Sequence, residues 1–169
     1  MIVKTMNKAL KVYFENKDLK VADKHMDGFE EYIKIYIRPE YSLKKDEIIN
    51  ETTYRRKRWD YSIWQGEKLK AVLEFKSLGK SAAKNVNNRM EEAEGCASFI
   101  ARSFPEVRKG YVLIGESLDE KIVTRWASFF EDSVRAGMYD SFCFILLDSD
   151  GYSVYGGLDM RNLLNVLQN

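Results

Sequence analysis

Asp60, Glu74 and Lys76 are the residues whose types and spacing point most directly to chemistry. Asp60 stands at the head of the apolar run "WDYSIW" (59–64), and Glu74 and Lys76 stand at the tail of "LKAVLEFKSL" (69–78). Both runs alternate in strand fashion around "QGEK", the pattern of a β-hairpin. Alternation puts Glu74 and Lys76 on one face with Val72, and Leu73 and Phe75 on the other. Asp60 falls opposite residue 73 or 74, depending on loop length, and a loop centred on Glu67 pairs it with Glu74. Two carboxylates at cross-strand distance repel unless a cation neutralises them. An all-oxygen site of this kind suits Mg²⁺, which takes one or two carboxylates plus waters and substrate phosphate oxygens. A lysine beside it can orient an attacking water or stabilise charge on phosphorus in the transition state. The set reads as a phosphodiesterase constellation. The plain alternative is a hairpin whose surface Asp, Glu and Lys share a face by chance.

The wider text bears on that choice. "KRWD" (57–60), "LEFKS" (73–77), "GKS" (79–81) and "NNRMEEAEG" (87–95) follow one another in order. Together they resemble the XhoI-type restriction endonucleases, a branch of the PD-(D/E)xK nuclease superfamily. That family's signature reads close to K-K-W-D, I-E-F-K-S-Q-x-G-x-S and N-N-R-x-E-E-A-x-G. "GYVLIG" (110–115) and "RWASFFEDSVRAGMYDSFCFILL" (125–147) are similar to its later strand and helix–strand unit, so the resemblance covers roughly 55–150. It implies an α/β fold with a restriction-endonuclease-like core, a mixed sheet flanked by helices. It also implies Mg²⁺-dependent, sequence-specific cleavage of double-stranded DNA. A homodimer is expected, because two-fold protein symmetry mirrors a palindromic site. Carried over by position, Asp60 and Glu74 are the metal carboxylates, the Phe75 carbonyl is a third ligand and Lys76 is the catalytic lysine. Leu78 departs from the family's Gln, and "KSAAKNV" replaces a run containing Pro, Phe and Gly. Those changes bear on the recognition sequence more than on hydrolysis.

Lys80, Lys84, Asn87, Asn88 and Arg89 are the candidate DNA contacts. "NVNNR" is placed at a helix start, where backbone N–H groups and amide side chains suit phosphate oxygens. Arg89 can hold phosphate or a guanine edge; the alternative is capping by Asn87 or Asn88 with Arg89 solvated. Glu91 and Glu92 suit the first turn of a helix in any case. Glu92 is the preferred one to reach Lys76 or a metal-bound water. Trp59, Tyr61 and Trp64 offer base-stacking surfaces, but core packing is the favoured reading.

Positioning these groups falls to a chain of 169 residues, 45% hydrophobic and 31% charged, a globular profile. Net charge is only +1, yet "RRKR" (55–58), Lys76, Lys80, Lys84 and Arg89 concentrate a basic footprint near the candidate site. Cys96 and Cys143 lack metal spacing, and His25 is the sole histidine, which disfavours zinc sites and His-based triads. No apolar run approaches the length of about 18 residues that reads as a membrane span. No signal peptide is evident, so the expected location is cytoplasmic.

One nuclease domain is expected over 1–169, with 1–50 mostly helical, 51–157 the catalytic core and 158–169 a C-terminal helix. Periodicity predicts two helices in the first third and leaves 40–58 as polar loop with a short helix. It then predicts the hairpin, a loop over 79–86 and a helix over 87–104. "GYVLIG" reads as a strand buried on both faces. Ser117 and Glu120 have capping-box spacing for a helix that Gly137 stops. A second hairpin, "FCFILL" (142–147) with "YSVY" (152–155), and a short helix follow. Two rival readings remain: a nuclease of DNA repair or phage DNA processing, and a DNA-binding subunit that does not cut.

Overall fold

A computed structural model describes residues 2–16, 26–51, 56–79, 82–148, 151–157 and 159–169. His25 and Lys80, both named above, lie outside the described residues. The chain divides into two compact units, residues 1–39 and 40–169.

The first unit is a pair of helices, α1 (Ile2–Asn16) and α2 (Asp27–Tyr36). Their apolar stripes bury Met6, Ala9, Leu10 and Tyr13 on one helix and Phe29, Tyr32 and Ile33 on the other. Gly28 sets how closely they approach. A Cβ there would lie 2.7 Å from the Ala9 Cα and 2.9 Å from its carbonyl oxygen, and that backbone has no room to yield.

The second unit is a six-stranded sheet in the order β1 (Ser42–Glu51), β2 (Arg56–Gln65), β3 (Lys68–Leu78), β4 (Arg108–Glu116), β5 (Ser141–Asp148) and β6 (Gly151–Val154). The outer pairings are antiparallel, while β3, β4 and β5 run parallel. Parallel neighbours need crossovers, supplied by α3 (Ala82–Ser103) and α4 (Glu120–Arg135). Helix α5 (Met160–Leu167) closes the chain. The sheet is therefore mixed and flanked by helices, as expected.

Strand β4 is buried on both faces, from Lys109 to Gly115, because parallel strands at the middle of a sheet are covered on both sides. Helices α3 and α4 cover one face: Ala93, Ala97, Trp126 and Phe130 pack with Leu78, Tyr111 and Leu113. Farther along α3, Cys96 and Ile100 pack with Trp59 and Val72. On the other face the α5 residue Leu167 approaches Gly110, as does Leu73 of β3.

Three details depart from the periodicity reading. Segment 42–51 is not a loop but the edge strand β1, whose charged sequence "SLKKDEIINE" hides the alternation; such charges guard a sheet edge against further pairing. Helix α3 begins at Ala82, not Asn87, because Ala82, Ala83 and Lys84 are good helix formers. The cap of α4 is Asp119, which accepts a hydrogen bond from the Ile122 amide at 2.9 Å. Ser117 instead takes a positive φ of 49° before it. Gly137, at φ 68°, does end that helix.

Candidate active site

The β2–β3 hairpin sets the site through an unexpected device. Gly66, at φ 59°, makes a tight turn in which Gln65 pairs with Lys68. Continued evenly, that register would bring Leu73 opposite Asp60. A bulge intervenes: Trp64 pairs with Leu69 but Ile63 pairs with Ala71, leaving Lys70 as the extra residue. The ladder then runs to Tyr61–Leu73, and the next residues outward are Asp60 and Glu74. The expected juxtaposition is present, produced by a bulge and not by a loop centred on Glu67.

Beyond Tyr61–Leu73 the two strands no longer pair backbone to backbone. Asp60 bridges the gap by accepting the Phe75 amide on Oδ2 at 2.7 Å. Burial, and then the neighbouring Glu74 carboxylate, push the Asp60 pKa up to about 6, against the opposing pull of the Phe75 amide, Lys76 and Lys57.

Glu74 is 2% exposed. Each of its oxygens accepts a lysine ammonium at 2.7 Å, Oε1 from Lys76 and Oε2 from Lys57. A buried carboxylate demands such partners, since an unpaired buried charge is strongly destabilising. Lys76 also lies 3.5 Å from Glu92, which in turn pairs with Arg89 at 2.7 Å. Burial opposes the charge on Lys76, but Glu74, then Glu92 and Asp60, outweigh it and hold the ammonium above its usual pKa. Burial likewise opposes ionisation of Glu92, and the Arg89 hydrogen bond and Lys76 overcome it and hold the carboxyl below its usual value. The result is a continuous chain of alternating charge, Lys57–Glu74–Lys76–Glu92–Arg89.

Lys57, part of both the basic run and "KRWD" but not a candidate site residue from sequence, joins the site here. That run gives no sign of which of its side chains turns inward. Tyr111 is a second addition. It is Glu74's register partner on β4, and its buried hydroxyl has no hydrogen-bond partner among the described residues. Burial and the nearby Glu74 hold its pKa well above the ordinary tyrosine value.

Among the candidate DNA contacts, Asn87 and Asn88 lie inside α3 with exposed side chains, beyond the orphan amides of the helix start. Asn87 accepts a hydrogen bond from Arg125 of α4. Lys84 also lies in α3. Trp59 and Tyr61 are fully buried, which withdraws them from base stacking.

A hard divalent cation suits this donor set. No group of three or more Asp, Glu, His or Cys poised to hold a metal occurs among the described residues. Two facing carboxylates are nonetheless what Mg²⁺ takes when the rest of its shell is water and substrate. Asp60 Oδ1 takes no hydrogen bond among the described residues, and burial with the neighbouring Glu74 carboxylate raises the Asp60 pKa despite Lys76 and Lys57, so a cation placed there would relieve both.

The sequence profile of a family described as restriction endonuclease XhoI matches residues 8–111, well over half the chain. Among curated proteins, the type II restriction enzyme XhoI of Xanthomonas vasicola is 34% identical over 122 residues. That match covers 67% of this chain and 46% of the enzyme, so the chain spans about half the length of this relative. No solved structure matches. No described helix is long and apolar enough to cross a membrane.

Proposed function

The chain belongs to the XhoI restriction endonuclease family, and on that premise we propose that it is a Mg²⁺-dependent, site-specific endonuclease acting on double-stranded DNA. The observation that carries this reading is the hairpin register that sets Asp60 beside Glu74, with the Lys76 ammonium 2.7 Å from Glu74. Asp60, Glu74 and the Phe75 carbonyl are the residues that would hold the cation. Once bound, a divalent ion supplies a water of lowered pKa and positive charge against phosphate oxygens.

The chain's own groups divide the remaining work. Lys76 carries a firm positive charge at the site, held between Glu74 and Glu92, and acts on charge that develops at the phosphorus during in-line attack. Glu92 keeps that ammonium aimed. Arg89, with Asn87, Asn88, Lys84 and Lys80 on and just before α3, forms the DNA-facing surface, positioning the backbone through phosphate contacts. Residues 51–157 form the catalytic core of a single nuclease domain. The enzyme acts as a homodimer, matching a palindromic site, with α4 a candidate dimer surface.

A plasmid digest with purified protein and Mg²⁺ tests this. Discrete fragments with one repeated end sequence support a site-specific endonuclease. Diffuse degradation indicates a repair or processing nuclease. A gel shift without cleavage indicates a DNA-binding subunit. Asp60→Ala must abolish whatever cutting is seen.

A further inference from the structure

We propose that Lys57 is the resident counter-ion of Glu74, holding that carboxylate until a divalent cation binds and then yielding its place and swinging outward. This inference rests on reading Asp60 and Glu74 as the cation site.

The geometry distinguishes the two lysines on Glu74. Lys76 has a second acceptor, Glu92 at 3.5 Å, and so keeps a partner if Glu74 is drawn away. Among the described residues Lys57 has Glu74 at 2.7 Å, the face of the Trp59 ring 5.0 Å from the ammonium and an electrostatic attraction to Asp60, and both carboxylates belong to the cation site. The charges around the site already balance: Asp60, Glu74 and Glu92 against Lys57, Lys76 and Arg89. A doubly charged cation added to that set leaves a net excess of positive charge in a confined space, which is relieved when one ammonium departs. Lys57 is the one that can leave. It sits near the first residue of β2, outside the paired part of the hairpin, and its side chain is 14% exposed, so water is close at hand. Its flexible stem can carry the charged head into solvent without moving the strand.

Such a lysine lowers the affinity for the cation while keeping Glu74 paired and in place. It sets a threshold that the cation must overcome, and it prevents the buried carboxylate from standing uncompensated.

The test is calorimetric titration of Ca²⁺ into chelator-treated protein without DNA. Lys57→Met keeps the aliphatic stem and removes the charge. It should bind Ca²⁺ at least about tenfold tighter than wild type, since a charge within about 4–6 Å shifts an ionic equilibrium by about one to three log units. Lys57→Arg, which retains the charge, should show no such gain. Equal or weaker affinity in Lys57→Met overturns the inference, weaker affinity marking a lysine that only supports the fold. Asp60→Asn separates this failure from that of the underlying reading. If Asp60→Asn weakens Ca²⁺ binding while Lys57→Met leaves it unchanged, only the role of Lys57 falls. If Asp60→Asn has no effect, the cation site itself is wrong. Should Lys57→Met fail to fold, amine labelling of the wild type read by mass spectrometry decides. Lys57 should be protected in chelator and reactive in saturating Ca²⁺, and unchanged protection overturns the proposal.

Discussion

The Phe75 amide donates to Asp60 Oδ2 at 2.7 Å, so the strand that carries Glu74 also holds the carboxylate opposite it. One bond therefore fixes both the spacing of the site and the side from which Asp60 is approached.

The first prediction concerns pH. In the folded protein the Asp60 pKa is raised from 3.8 to about 6, chiefly by burial. Between about pH 4 and 6 the folded state keeps a proton that the unfolded chain has lost. In chelator, stability should therefore fall as pH rises through that window and level off above it. Asp60 should account for about 3 kcal/mol of the fall. Asp60→Asn can still accept the Phe75 amide, and should remove this component while eliminating cleavage. Urea titrations of both proteins at pH 4, 5, 6 and 7 check it; parallel stability curves would contradict it.

Lys76→Met should reduce the cleavage rate far more than it reduces DNA affinity. A charge that acts on the transition state contributes to kcat, whereas one that only holds phosphate contributes to ground-state binding. Single-turnover cleavage and equilibrium binding on the same duplex separate the two. Normal cutting at saturation with weakened binding would make Lys76 a backbone contact only.

Arg89 is paired with Glu92 and sits in the second turn of a helix, not at its amide-rich end. Its guanidinium is thus the only part of it that can reach a phosphate. Arg89→Ala should weaken binding about equally on all sequences and flatten the salt dependence by about one counterion. Loss confined to one base position, of about 1–3 kcal/mol, would instead mark base readout. Cognate and scrambled duplexes at two salt concentrations distinguish these.

Deleting Lys70 should leave the site in register. Lys70 is the extra residue of the bulge, so without it Trp64–Leu69 and Ile63–Ala71 become successive pairs and the ladder still runs to Tyr61–Leu73, with Asp60 and Glu74 next. The deletion variant should keep Ca²⁺ binding and cleavage if it folds. Lys70→Ala keeps the bulge and should cost no more than about 0.5 kcal/mol. Loss of Ca²⁺ binding and cleavage in a folded deletion variant would show that the bulge itself shapes the site beyond its register.

The hairpin and its three chemical residues were legible because strand alternation is a period-two signal and the turn is short. The bulge was not, since Lys70 looks like any other alternating residue. Strand β1 escaped notice because an edge strand needs few apolar residues, and "LKKDEIIN" reads as solvent-exposed text. Lys57 escaped for a related reason. In a run of four basic residues nothing local says which head group meets Glu74, a residue 17 positions away. The start of α3 is hidden because Gly79, Ser81 and Asn85 carry loop signals around it, whereas the helix follows Ala82 and Ala83.

The strand order has a consequence for how the chain reaches this state. Six strands lie side by side in the order in which they occur in the sequence, so every ladder joins consecutive strands. Only the parallel ones, such as Ala71 with Arg108, wait for a helical crossover to be closed. Ladders between near neighbours form faster than those that must close long loops first. The hairpin of β2 and β3 closes over a turn of two residues, Gly66 and Glu67, and can form before the parallel centre is assembled. Emerging from the ribosome, the chain can lay down its strands in succession, with Asp60 and Glu74 already side by side before α4 exists.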